Sequence, residues 1–201
     1  MAHSDKNIVI TPNIGSTTAD PQIVFSGANA SLGPQNITLR TYATSNGTLS
    51  FEGSAGQLFS ITNSMSGSIF SVNDVSGVPS IEVLDSGIIK LAEYSGFVSY
   101  GVSQAVTAAG STQATATLLT RPINNITTVA ASTGVIFPAA VPGMRIIVRN
   151  GGANILRIYP AVGAQINTLG TNTGLQLEVD ATIEFVAVSG TRWYTLNATF
   201  A

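Results

Sequence analysis

Gly56-Gln57-Leu58-Phe59-Ser60-Ile61-Thr62-Asn63 is followed eleven residues later by Gly67-Ser68-Ile69-Phe70-Ser71-Val72-Asn73-Asp74, a near copy that keeps the glycine, aliphatic, Phe, Ser and β-branched positions in register. Alternation within the first copy sets Leu58, Ser60 and Thr62 on one side and Phe59 and Ile61 on the other. The second copy likewise opposes Phe70 and Val72 to Ile69, Ser71 and Asn73. A period of two is that of a β-strand, and its repetition predicts short stacked strands that build a continuous apolar surface unit by unit. Outward from the copies the same spacing continues. Strand-like runs occur at Ile8 to Ile10, Ile23 to Phe25, Ile37 to Tyr42, Thr48 to Phe51, Ser80 to Leu84 and Gly87 to Ala92, with Gly, Pro, Asn and Ser between them. Helices would instead show apolar residues three and four apart over longer stretches, so none is expected in the first hundred residues.

Composition bounds what such a surface can do. Of the 201 residues 44% are hydrophobic and only 9% charged, against about 25% charged in an average domain. The polar surface is therefore Ser, Thr, Asn, Gln and Gly, whose short side chains order at low entropic cost and suit close contact with other chains. The turns flanking Phe59 and Phe70 are short. The two rings either fill the core of a self-contained sandwich or are covered by neighbouring copies, and the second is expected because so few short strands cover them poorly.

A shift in composition follows at 103–122, where Ala, Thr, Ser and Gln alternate as a linker or a first strand. The chain thus divides into an N-terminal anchoring and stacked-strand region at 1–102, this segment, and a C-terminal region at 123–201. In the last region seven runs, from Thr127 to Thr199, alternate like strands. Asn150-Gly151-Gly152-Ala153 reads as a tight hairpin turn. The fold class expected is all-β, with the N-terminal strands followed by a small antiparallel β-sandwich or jelly roll.

Chemistry is sparse. The net charge is −2 and the eight basic residues are scattered, which argues against nucleic-acid binding. Arg145 and Arg149 share a strand face in this reading, with interfacial carboxylates as their expected partners. There is no cysteine, and the single His3 stands at the start of the chain, which excludes disulfides and thiolate catalysis and disfavours a Ser-His-Asp relay. No apolar run approaches the roughly 20 residues that span a bilayer, and the first residues carry no signal-peptide core, so membrane insertion is not expected. Glu82 with Asp85, and Glu178 with Asp180 and Glu184, are close enough in sequence to consider as a glycosidase pair, but no aromatic cluster surrounds them to raise a carboxyl pKa. Asp74-Val75-Ser76-Gly77 lacks the alternating acidic ligands of a calcium loop and reads as a turn. No phosphate-binding glycine motif occurs. No catalytic residue, metal site or cofactor is expected. Tyr159, Trp193 and Tyr194 are candidate sugar-stacking aromatics, the alternative being a role in a sandwich core.

Gly47-Thr48-Leu49-Ser50-Phe51-Glu52-Gly53, the two Phe-Ser units and Val75-Ser76-Gly77-Val78-Pro79-Ser80-Ile81-Glu82-Val83-Leu84 resemble structural proteins of tailed bacteriophages, particularly those of cyanobacteria. The stretch from Phe137 to Asn154 is similar to a β module recurring in phage fibres and in head or tail appendages. The resemblance implies an all-β, usually trimeric virion component: a short head fibre, capsid decoration or tail appendage, assembled in the host cytoplasm and contacting other capsid or tail proteins. It supplies no catalytic residue. Full-length tail fibres are commonly much longer. Candidate assembly residues are Phe59 and Phe70, with Ile8, Val9 and Ile10 anchoring by strand addition or groove docking. A carbohydrate-binding adhesin, meeting a host surface glycan through the C-terminal region, is the alternative.

Overall fold

The computed structural model describes residues 7–11, 22–27, 35–42, 47–94 and 96–196. They form two compact units, Met1–Val98 and Ser99–Ala201. His3 lies outside the described residues. Both units are all-β, and among the described residues the one helical element is a single 3-10 turn at Gln113–Thr115.

The first unit is one eight-stranded antiparallel sheet in which every strand pairs with its neighbours in sequence. Its strands are β1 (Asn7–Thr11), β2 (Gln22–Gly27), β3 (Gln35–Tyr42), β4 (Thr48–Gly53), β5 (Gly56–Ile61), β6 (Ser68–Asn73), β7 (Pro79–Leu84) and β8 (Ile89–Leu91). The two Phe-Ser copies are β5 and β6, which pair Phe59 with Val72, Ser60 with Ser71 and Ile61 with Phe70. Each hairpin from β3 to β8 turns on a glycine with positive φ, Gly47, Gly56, Gly67, Gly77 and Gly87 in order. That placement, recurring about every ten residues, is what lets so short a repeat reverse direction at each end. Asp74 completes one of these turns by accepting the amides of Ser76 and Val78 at 2.8 and 3.0 Å. This is an Asx turn rather than a ligand loop.

The second unit is built differently. It comprises β9 (Val102–Thr107), β10 (Thr117–Leu118), β11 (Ile123–Thr128), β12 (Gly134–Ile136), β13 (Arg145–Asn150) and β14 (Leu156–Tyr159), then β15 (Gln165–Ile166), β16 (Leu175–Leu177), β17 (Thr182–Ser189) and β18 (Arg192–Thr195). From β9 to β14 the chain crosses between two sheets at every step. Consequently β9, β11 and β13 are parallel neighbours in one sheet and β10, β12 and β14 are parallel neighbours in the other. That is a short solenoid-like winding, extended by the antiparallel strands β16, β17 and β18. The expected antiparallel sandwich or jelly roll is corrected accordingly: two sheets do enclose one core, but their central ladders are parallel. The segment 103–122 carries nearly all of β9, the 3-10 turn and β10.

The turn at Asn150 explains the difference. Gly151 and Gly152 do not reverse a hairpin; they carry the chain from one sheet to the other. Asn150 is fully buried there, donating through Nδ2 to the carbonyls of Asn154, Leu177 and Glu178 and accepting the Gly152 amide. A Cβ on Gly152 would stand 2.6 Å from Val129. Glycine is needed here for close approach, not for positive φ. The core that results joins Val135, Phe137, Leu156 and Ile158 to Ile126, Ile146, Val148, Phe185 and Trp193. Phe137 sits 4.8 Å from both Phe185 and Trp193, ring centre to ring centre.

Candidate functional site

Strand register in the first unit separates its two faces by chemistry. One face carries the row Leu39, Phe51, Phe59, Val72, Ile81 and Leu91, each opposite the next on successive strands from β3 to β8. Beside it runs a second row, Thr41, Leu49, Ile61, Phe70, Val83 and Ile89. Toward β1 the first row continues through Ile23 to Ile10, while Phe25 pairs with Ile8. Phe51 and Phe59 stack at 4.1 Å, and Phe70 lies 6.4 Å from Phe59. The Phe-Ser repeat is therefore the centre of an apolar stripe running across the strands.

The opposite face is polar and internally bonded. Gln22, Arg40, Ser50, Ser60, Ser71, Glu82 and Lys90 form a row in the same register. Gln57 donates to Ser50 and accepts from Asn73, both at 2.9 Å, and the Ser60 and Ser71 hydroxyls are 3.0 Å apart. Arg40 reaches Gln22 and Tyr42 and lies 3.6 Å from Glu52, to which the Tyr42 hydroxyl also donates. The Glu52 hydrogen bond, followed by burial, raises the Tyr42 pKa above its ordinary value. Lys90 lies 3.5 Å from Glu82 and 2.6 Å from Glu93, and hydrogen bonds to Glu93 and Tyr94 push its pKa upward. Most polar groups on this face pair across strands, while Asn73 Oδ1 is buried without a hydrogen bond and Glu82 relies on its ion pair with Lys90.

Among the described residues of the unit, no second layer covers the stripe. Among the described residues, all buried hydrophobic side chains belong to the second unit, and the buried side chains of the first are Ser50 and Ser71, on its polar face. Ile61 remains 49% exposed and Ile89 63%. Eight strands at about 4.8 Å spacing, two apolar residues wide, amount to a stripe of about 38 by 14 Å, or on the order of 500 Å². This is at the upper end of the apolar patches that monomeric proteins expose.

The remaining sequence candidates are dispersed. Ile8, Val9 and Ile10 lie on β1, an edge strand whose other side pairs with β2. In the second unit Trp193 is completely buried against Phe137, and Tyr159 is buried with its hydroxyl donating to the Ser111 carbonyl at 3.1 Å. Tyr194 points the other way and is exposed. The three aromatics do not share an exposed surface. Glu184 accepts from Arg145 at 2.7 Å, and Asp180 pairs with Arg149 at 3.4 Å. The arginines thus find their carboxylates within the unit rather than at an interface, and three of the five carboxylates considered for hydrolysis, Glu82, Asp180 and Glu184, are engaged by cations. Among the described residues no group of three His, Asp or Glu side chains is placed to hold a metal ion, and no helix is long and apolar enough to cross a membrane.

No protein-family model, curated protein or solved structure matches this chain. Sequence reasoning found the Phe59 and Phe70 pair but missed the length of the stripe. Its signal was present as alternating apolar residues on each strand from Leu39 to Leu91, broken by Thr41 and Gln57.

Proposed function

We propose that this chain is a non-enzymatic structural protein of a tailed-phage virion, assembling as a homotrimer through the apolar face of its first unit. The observation that supports this reading is a sheet whose hydrophobic stripe is left without a second layer by the described residues of its unit, opposite a face of cross-strand polar pairs. Water-exposed apolar surface of that size is a thermodynamic liability that contact with like surfaces removes, at about 25 cal/mol per Å² before association costs are subtracted. Identical stripes complement one another without any other partner, which favours assembly from copies of one chain. The short head fibre, capsid decoration or tail appendage fits the resemblance of residues 47–84 and 137–154. Anchoring to other virion proteins would use the edge at Ile8, Val9 and Ile10, where an incoming strand can extend the ladder.

Sedimentation equilibrium tests the reading directly. A mass three times the 20.7 kDa of one chain is expected, and Phe59→Asp with Phe70→Asp should convert it to monomer with the second unit still folded. A wild-type monomer at high micromolar concentration would sink the assembly reading.

A further inference from the structure

We propose that the outer face of the six-stranded sheet in the second unit is a binding site for a neutral saccharide, centred on Arg145 and Glu184 and flanked by Tyr100 and Tyr194. This proposal is independent of the assembly stripe, since it rests on a different unit.

Register places the residues. Ile123, Ile147 and Glu184 stand opposite one another on β11, β13 and β17, and the adjoining row runs from Arg145 on β13 through Val186 on β17 to Tyr194 on β18. The intervening residues Ile146, Phe185, Ala187 and Trp193 are buried, so both rows face outward. A cleft of about 580 Å³ opens here, lined by Tyr100, Pro122, Ile123, Arg145, Ile147 and Glu184 among others. Its volume is in the range of small-ligand sites. Tyr100 is 60% exposed at the cleft, and Tyr194 is 41% exposed two strands, about 10 Å, from Arg145.

Chemistry selects the ligand class. Arg145 uses Nε to donate to Glu184 Oε1 at 2.7 Å, and its terminal N–H groups have no partner among the described residues. The pair therefore still offers donors beside an acceptor while being neutral overall. Adjacent sugar hydroxyls each donate and accept, which matches that arrangement. An anion would meet Glu184, a cation would meet Arg145, and a wholly apolar ligand would strip water from both without replacing it. The exposed tyrosine rings and the half-buried Ile123 and Ile147 supply flat apolar surface for the C–H face of a pyranose. The three aromatics singled out from sequence contribute only Tyr194 to this face. Tyr100 is brought in by the fold.

Titration calorimetry of the full chain with cellotriose, maltotriose and chitotriose tests the site. Saturable binding of at least one trisaccharide is expected, weakened about tenfold by Tyr100→Ala and by Glu184→Gln and unchanged by Met65→Ala in the other unit. Thermal melting of each variant checks that the exposed substitutions leave the unit folded. Failure of all three sugars to bind, or binding indifferent to Tyr100→Ala and Glu184→Gln, overturns the proposal. So does protection of Tyr100 from solvent in the sugar-free assembly, which would make this face an interface between copies.

Discussion

The two units draw on the same uncharged vocabulary and the same strand period, yet one encloses a core and the other leaves its apolar face open. In the second unit the chain changes sheet at each turn from β9 to β14, so the inward apolar rows of the two sheets meet each other within the same chain. In the first unit each hairpin returns to the same sheet, and eight strands extend one layer without doubling it. What separates a closed domain from a sticky one is thus the destination of its turns. The second unit holds its buried apolar side chains internally, whereas among the described residues of the first no hydrophobic side chain is fully buried.

The largest effect that tests this contrast is in the closed unit. Phe137→Ala removes the ring wedged between Phe185 and Trp193 and is expected to cost about 3 to 5 kcal/mol, independent of protein concentration in chemical denaturation. A concentration-dependent loss would erase the distinction between the units. Next, Gly152→Ala forces a Cβ to within 2.6 Å of Val129 and should destabilise the same unit by about 1 to 3 kcal/mol. Gly77→Ala, whose Cβ meets open space at a φ of +79°, should cost about 1 kcal/mol. Equal costs for the two would show that the sheet-to-sheet corner is not as tight as described.

Phe59→Ala should be mild in dilute solution, below about 1.5 kcal/mol because the ring keeps partial exposure there, and should become costlier as the protein is concentrated into assemblies. A cost as large and as concentration-independent as that of Phe137→Ala would mean the stripe is already covered. The smallest effect concerns the polar face. Because the Tyr42 pKa is raised by its bond to Glu52, its contribution is fully present below the ordinary tyrosine pKa of 10.0 and is lost as pH rises through the folded-state value. Melting temperatures of the wild type should therefore fall more steeply above pH 10 than those of Tyr42→Phe, and parallel curves would remove that bond from the stability of the sheet.

Much of the first unit was readable because its determinants are local. Alternation around Phe59 and Phe70 fixes which residues share a face, and a turn glycine about every ten residues fixes the hairpins; neither needs knowledge of distant residues. The antiparallel pairing of β5 with β6 was added by the structure. The second unit resisted the same reading. Strands such as β13, β14 and β17 were visible, whereas β9 lay in the expected linker, β11 starts before the run at Thr127 and β15 was missed; Asn150-Gly151-Gly152-Ala153 has the composition of a hairpin turn and acts as a corner between sheets. Which it becomes depends on Val129 closing over Gly152 and on the Leu177 and Glu178 carbonyls meeting Asn150, 27 and 28 residues away.

The saccharide site shows the same division. Tyr194 was visible as an aromatic, but its exposure and the burial of Trp193 beside it are set by which face of β18 meets Phe137. Tyr100, Arg145 and Glu184 converge only after the ladders of β11, β13 and β17 are assembled. The scarcity of charge is read directly from composition, and the all-β class and the strand faces around Phe59 and Phe70 follow from local alternation, because each depends on neighbours within a few residues. Parallel against antiparallel pairing, core against surface aromatics, and the lack of a second layer among the described residues of the first unit emerge in three dimensions. Those outcomes are contacts between residues far apart in the chain, and strand period does not encode them.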